Sequence, residues 1–309
     1  MYKRQGSPYR NILSNNETAS YYYETNGGCR EGGLLLITGI IGGTGQMGRF
    51  FSGVFQRAGY DVMISGRKTP VTSRDIVKNA DLVMVTVPIR DTRDVIREIA
   101  PMLSPDQVVC DLTSLKVFPV EEMLKSDAEV IGLHPMFGPS VKSLEKQTII
   151  VTPARCKKET LNALTCICTR EGAHITVTTP ETHDRMMAVV QGLTHFVTIA
   201  MAETMRRTGI RPEETIPFMS PVYQIETGLV GRLLSQDPGL YADMLCYNPY
   251  VPPVLETCSE AIRETENIVR SGRREDFEQV FNDDARFFGN FAGQGASLTD
   301  FLIECMVKR

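Results

Sequence analysis

Gly43, Thr44, Gly45, Gln46, Met47 and Gly48 carry the spacing G-x-G-x-x-G, between an apolar run at 34–41 and a stretch at 46–58 with helical periodicity. At a strand–loop–helix junction the first glycine permits a tight turn, the second lets backbone approach a pyrophosphate, and the third lets helix and strand pack closely. The helix N-terminus then presents N–H groups and the positive end of its dipole to the phosphates. The chemistry predicted here is dinucleotide binding. A free ribose 2′-hydroxyl is usually met by an acidic residue at the end of the second strand, about 20 residues on. That place reads Ser65-Gly66-Arg67-Lys68, with no carboxylate to repel a 2′-phosphate and two cations to bind one. NADP is therefore expected over NAD, with NAD use left open. A solvated basic turn is the plainer reading of the same two cations.

Two further polar residues fall outside the carboxyl ends of strands, where such sheets bind their ligands. Ser114 follows the apolar run 108–112, and His134 follows 130–133. Pro135 biases His134 towards extended backbone, which ends the strand with the imidazole at its rim. An imidazole there can accept a proton near neutral pH, and a histidine at a strand end also serves as a plain structural group.

The elements that must hold these residues alternate. Apolar runs at 61–65, 82–87, 108–112, 130–133, 148–151 and 174–177 read as buried strands, with helical stretches such as 91–103 and 157–171 between them. Continuous apolar strands separated by helices predict a doubly wound parallel α/β sheet of the Rossmann type over residues 34–180. At Thr179-Pro180-Glu181 an N-cap residue and a proline suited to the first helical position open a long helical pattern. Residues 181–309 are accordingly expected to form an all-helical C-terminal domain, broken near 209–212, 236–239, 248–253 and 271–274. Residues 1–33, rich in Asn, Ser, Gly and Tyr without apolar period, are expected to be a disordered leader. Its opening MYKRQ resembles translated sequencing-adapter sequence, so part of it is expected to be non-native.

With 42% hydrophobic and 23% charged residues, the 309-residue chain has the composition of a globular protein of two domains, not of a fibrous or disordered one. The net charge of −4 and the lack of a basic patch argue against a nucleic-acid partner. No apolar run reads as the roughly 18 residues of a membrane span, and no signal-type core adjoins the first ten residues. No membrane partner and a cytoplasmic location are expected. Eight cysteines without CxxC pairs or histidines at zinc spacing are expected to be reduced thiols, with no metal site.

Around the two rim residues the chain reads DLTSLK at 111–116 and HPMFGP at 134–139. With HDRMMAVVQGLTHF at 183–196, SPVYQIETGLVGR at 220–232 and QDPGLYADM at 236–244, it resembles prephenate dehydrogenase, most of all the archaeal, NADP-compatible type. The resemblance implies oxidative decarboxylation of prephenate to 4-hydroxyphenylpyruvate with hydride transfer to NADP, on the route to tyrosine, in a homodimer formed through the helical domain. It implies His134 as the catalytic group that draws off the ring hydroxyl proton, and Ser114 as the residue that orients it. It also implies Arg232 as the ligand of a substrate carboxylate and His195 as a substrate-pocket histidine. Gln191, one turn before His195, joins them as a substrate-binding candidate, with Tyr241 and Lys116. A guanidinium can hold one of prephenate's two carboxylates through two parallel bonds, although Arg232 alone reads as a solvated helix residue. His174 and His183 are expected to be structural. Members of this family are often fused to a chorismate mutase or a regulatory domain, and neither is expected here. The alternatives are an arogenate dehydrogenase, a deazaflavin-dependent NADP reductase, which shares the glycine loop but lacks HPMFGP and a long helical domain, and a protein that senses NADP(H) without turnover.

Overall fold

The computed structural model describes Tyr21–Tyr22 and residues 37–308. The chain divides into two compact units, one up to Met187 and one from Ala188. In the first unit the elements run β1 (Tyr21–Tyr22), β2 (Ile37–Ile41), α1 (Gln46–Arg57), β3 (Asp61–Ser65), α2 (Ser73–Asn79), β4 (Leu82–Val85) and α3 (Ile89–Ile99). They continue as β5 (Val108–Asp111), α4 (Val117–Met123), β6 (Glu129–Pro135), β7 (Thr148–Arg155), α5 (Lys158–Arg170), β8 (His174–Val177) and α6 (Pro180–Met187). The strands make one sheet in the order β1-β8-β7-β6-β5-β4-β2-β3.

The doubly wound architecture follows from strands that are apolar on both faces. All four residues of β4 are buried. Leu82 and Met84 point into one core with Phe51 and Phe55 of α1 and Leu164 and Ile167 of α5. Val83 and Val85 point into the other, with Ile76 of α2, Ile96 and Ile99 of α3 and Met123 of α4. Side chains of a strand alternate between faces, so a strand apolar at every position requires a helical layer on each side. Each such side chain contributes about 1.5 to 3 kcal/mol by leaving water.

Three details depart from the sequence expectation. Strands β6 and β7 pair antiparallel, whereas β2–β3, β2–β4, β4–β5, β5–β6 and β7–β8 are parallel. The reason is the connection: no helix intervenes between Pro135 and Thr148, and a parallel return requires a crossover, usually helical. Within the expected leader, Tyr21–Tyr22 pair antiparallel with Val177 and Thr176 of β8, so these two residues are structured; the rest of that expectation lies outside the described residues. Cys166 is disulfide-bonded, which overturns the expectation of reduced thiols at that position.

The second unit is helical throughout. It contains a π-helical segment (Ala188–Leu193), α7 (Thr194–Thr208), α8 (Pro212–Thr215), a 3-10 turn (Ile216–Phe218), α9 (Pro221–Leu234), α10 (Pro238–Cys246), α11 (Val251–Ser271), α12 (Arg274–Phe288) and α13 (Asn290–Val307). Local chemistry sets several ends. Ser220 accepts from Tyr223 N with Pro221 behind it, Asp237 accepts from Gly239 N ahead of α10, and α7 and α11 stop at Gly209 and Gly272, whose φ of 78° and 64° suit glycine. Among the described residues of this unit, only Ala188, Val230, Leu233, Met244 and Val251 are buried apolar side chains. Large apolar side chains stand exposed along α7, α9, α12 and α13, among them Val197, Leu229, Phe281 and Phe301. The continuous helix Pro180–Thr208 is, by length and composition, long and apolar enough to cross a membrane, with a mean hydropathy of 1.3 over its best stretch, contrary to the sequence expectation. Only 17% of that stretch is buried.

Candidate functional site

The glycine loop is tied to the end of β3. The N–H groups of Gly42 and Gly43 both donate to the carbonyl of Ser65, at 2.9 and 3.0 Å, and Gly42 turns the chain at a φ of 84°. A Cβ on Gly43 would lie 2.7 Å from the Ile64 side chain, and one on Gly48 2.7 Å from the Gly42 carbonyl oxygen, so both glycines are required by packing. Gly45 differs: a Cβ there meets only the Gly42 oxygen, at 3.2 Å, which leaves its outer side open to an approaching group. Gly45 is also the N-cap of α1, with no side-chain cap and no acid in the first turn. Uncapped N–H groups and the dipole therefore favour an anion here. Thr44 and Gln46 are exposed, and Met47 packs partly against the core.

Beyond β3 the backbone N–H of Gly66 donates to Thr69 Oγ1 at 2.8 Å, closing a turn. Ser65 is buried at its base. Arg67 and Lys68 are exposed, and neither pairs with an acid among the described residues.

A buried polar cluster lies where β5 and β6 end. Asp111 closes β5, and its Oδ2 accepts from Lys116 Nζ at 2.5 Å and from Thr113 Oγ1 at 2.5 Å. Lys116 Nζ also donates to the Leu133 carbonyl at 2.6 Å. Its stem passes over Gly132, where a Cβ would come within 3.0 Å of Lys116 Cδ. His134 Nδ1 lies 2.8 Å from His183 Nε2, and His183 Nδ1 lies 2.7 Å from Asp184 Oδ1. Asp184 in turn accepts the backbone N–H groups of Lys116 and Val117, at 2.7 and 3.0 Å, which fastens α6 to the start of α4.

Burial pushes His134 well below the ordinary histidine pKa, with the nearby His183 and Lys116 acting in the same direction. Burial also lowers Lys116, against the attraction of Asp111, and raises the thiol of Cys110 well above its usual value. The cluster thus holds a neutral imidazole able to accept a proton.

In the helical unit three expected residues come together. The rings of His195 on α7 and Tyr241 on α10 meet edge to face, with centroids 4.9 Å apart and planes at 90°. Burial raises the Tyr241 hydroxyl, and Arg232, in the last turn of α9, is close enough to oppose that shift. Arg232 is exposed and forms no ion pair among the described residues, so its guanidinium is available to an anion. Gln191 sits in the π-helical segment one turn before His195.

Two expectations need correction. Ser114 is half-buried and makes no hydrogen bond among the described residues; a partner of the His134 ring is His183, expected from sequence to be structural. Lys116, expected to meet substrate, is fully buried and bound to Asp111 and the Leu133 carbonyl, so its ammonium is committed within the protein and does not face a substrate.

Two family models match the chain: "prephenate dehydrogenase, nucleotide-binding domain" at 62–177 and "prephenate dehydrogenase, dimerization domain" at 179–283. The T-protein of Haemophilus influenzae is 32% identical over 256 residues, covering 82% of this chain and 68% of that protein. This chain belongs to the prephenate dehydrogenase family. A further member of the family, from Methanocaldococcus jannaschii and named a probable arogenate/prephenate dehydrogenase, is 36% identical over 284 residues. That alignment spans 86% of this chain and 64% of the relative's length.

Solved structures of a prephenate and an arogenate dehydrogenase share the fold. That of A. aeolicus prephenate dehydrogenase in complex with hydroxyphenyl propionate and NAD+ superposes with a TM-score of 0.65 at 22% identity, covering 82% of this chain and 97% of that one. Synechocystis arogenate dehydrogenase gives 0.65 at 18%, covering 82% and 100%. Within the prephenate dehydrogenase family the nucleotide-binding model holds Ser114 and His134, and the dimerization model holds His183, Gln191, His195, Arg232 and Tyr241.

Proposed function

We propose that this chain converts prephenate to 4-hydroxyphenylpyruvate and carbon dioxide with NADP as electron acceptor. The observation that carries the reading is His134: a buried, neutral imidazole at the end of a strand in the same sheet whose β2 leads into the glycine loop. The residues present fit a dinucleotide, through the open side of Gly45, the uncapped N-terminus of α1 and the exposed cations Arg67 and Lys68. When bound, the nicotinamide supplies the acceptor for the hydrogen and electron pair that leave the ring carbon bearing the hydroxyl.

The chain's own residues do the rest. His134 takes the hydroxyl proton, so a carbonyl forms at that carbon. The carbonyl draws the electron pair of the breaking carboxylate bond through the ring, carbon dioxide leaves, and the ring becomes aromatic. His134 returns its proton to the phenolate oxygen, so base and acid are one residue and no net proton is released. Arg232, with His195 and Tyr241 beside it, holds a substrate carboxylate, with Gln191 as a further contact. Ser114, three residues past β5, is proposed as a polar contact for the cofactor and substrate. Initial rates with prephenate and with arogenate, each with NADP and with NAD, test the reading. Prephenate with NADP should be fastest, and turnover of arogenate alone would replace the substrate.

Cofactor choice rests on the turn after β3. Catalytic efficiency should be higher with NADP than with NAD, and Arg67→Ala should abolish the difference. A parent enzyme that favours NAD would return Arg67 and Lys68 to a solvated turn.

The pH profile follows from burial. The depressed pKa of His134 keeps the base neutral and active at and above pH 6.5, so kcat/KM for prephenate should be flat there and fall only at lower pH. The charged and titratable groups around the ring are Lys116, Asp111, Cys110, His183 and Asp184. This moves the acid limb below the ordinary histidine range expected from sequence. A limb centred above 6.5 would contradict the burial of His134.

We further propose a homodimer through the helical unit. The support is its sparse buried apolar set beside the exposed face of α7, α9, α12 and α13, and the dimerization-domain model that covers most of it. Apolar surface on this scale calls for a cover, and a second copy supplies one of matching chemistry. Sedimentation equilibrium should give twice the chain mass of 34.4 kDa; a monodisperse monomer would refute the dimer.

A further inference from the structure

We propose that His183 and Asp184 are positioning residues that fix the tautomer of His134, leaving its Nε2 as the basic nitrogen. The inference rests on the dehydrogenase reading for its kinetic consequence, and on hydrogen-bond geometry alone for the tautomer.

Oδ1 of Asp184 accepts the N–H of Lys116 at 2.7 Å, and Oδ2 accepts the N–H of Val117 at 3.0 Å. Both oxygens are therefore acceptors towards backbone donors that cannot reverse. The contact of 2.7 Å between Asp184 Oδ1 and His183 Nδ1 then takes its hydrogen from the imidazole. In a neutral imidazole one nitrogen carries the proton and the other a lone pair, so His183 Nε2 is an acceptor. It lies 2.8 Å from His134 Nδ1, which must be the donor. His134 is thus the Nδ1–H tautomer, and the lone pair sits on Nε2.

This arrangement survives the proton transfer. When Nε2 takes a proton, Nδ1 still donates to His183, and the carboxylate of Asp184 at the end of the chain stabilises the imidazolium through the intervening ring. The same division of labour, a carboxylate that orients and stabilises an imidazole without itself being protonated, operates in hydrolase triads. Here an extra imidazole extends the reach. His183 and Asp184 occupy adjacent positions on α6 and both are buried, which holds the relay rigid. Lys116 acts in the opposite sense, disfavouring the protonated form of His134.

Asp184 also ties down the first turn of α4, so its variants can lose the fold; His183 is the better probe. His183→Leu removes the acceptor. His183→Gln restores one, because the amide oxygen can receive the His134 Nδ1–H. In His183→Leu, kcat with prephenate and NADP should drop about 10- to 100-fold, part of the roughly 100- to 10,000-fold that proton transfer contributes. KM and NADP binding should hold, and His183→Gln should recover most of the loss. The direct readout is nitrogen-15 NMR of protein labelled at its four histidines. Wild type should show His134 protonated on Nδ1 and bare on Nε2 at neutral pH, and His183→Leu should lose that single-tautomer signature. An Nε2–H tautomer in wild type, or an unaltered signature in His183→Leu, overturns the proposal. Failure to turn over prephenate would sink the dehydrogenase reading and leave the tautomer assignment standing, so the two can fail separately.

Discussion

His134→Asn should lower kcat by about 100- to 10,000-fold, the range that a positioned proton-transfer group supplies. The asparagine is close in shape and can still donate towards His183 Nε2, so the buried partner keeps a hydrogen bond and the fold is retained. NADP binding should be nearly unchanged, because the glycine loop is held by Ser65 and Ile64 and not by the histidine. The acid limb of the pH profile should vanish with the side chain. Steady-state kinetics beside a cofactor titration of the same variant decide it. A near-normal kcat in a folded variant would remove His134 from the chemistry and leave its low pKa as a consequence of burial alone.

The second large effect is expected at Arg232. If its guanidinium grips a carboxylate equally in ground and transition states, its loss raises KM and spares kcat. Charge-assisted hydrogen bonds are worth about 1.5 to 3 kcal/mol, so Arg232→Gln should raise the KM for prephenate roughly 10- to 150-fold. Lysine should restore only part, because a point charge cannot reproduce two parallel bonds. The Kd for NADP should not move, since the cofactor residues precede Met187 and Arg232 belongs to the other unit. An unchanged KM returns Arg232 to the solvated face of α9, where its present exposure would suffice to explain it.

What was legible in the sequence was what local chemistry decides. The glycine loop could be read because strand, glycines and helix occur in register within a dozen residues, and the packing distances at Gly43 and Gly48 give the physical reason. His134 could be placed at a strand end because Pro135 follows it and the preceding residues are continuously apolar. The His183–Asp184 pair could not. A histidine and an aspartate in the second turn of a helix look like any polar pair, and the contact that gives them meaning reaches 49 residues back to His134. Lys116 was misread for a related reason: a lysine after Thr-Ser-Leu looks solvent-facing, and only Gly132 on the neighbouring strand makes room for its stem. The antiparallel β7 had a usable signal, since residues 136–147 lack helical periodicity and cannot form a crossover. The helical unit was recognisable by pattern, while its scarcity of buried apolar residues emerges only when the helices are assembled.

The central claim is that one site removes a hydrogen with its electron pair and a carboxylate from the same ring. Incubating the purified chain with prephenate and NADP and following NADPH, carbon dioxide and 4-hydroxyphenylpyruvate together tests it most directly. The account predicts that all three appear in equal amounts for each prephenate consumed. NADPH formed without release of carbon dioxide, or prephenate left unconsumed by a folded enzyme that binds NADP, would contradict it.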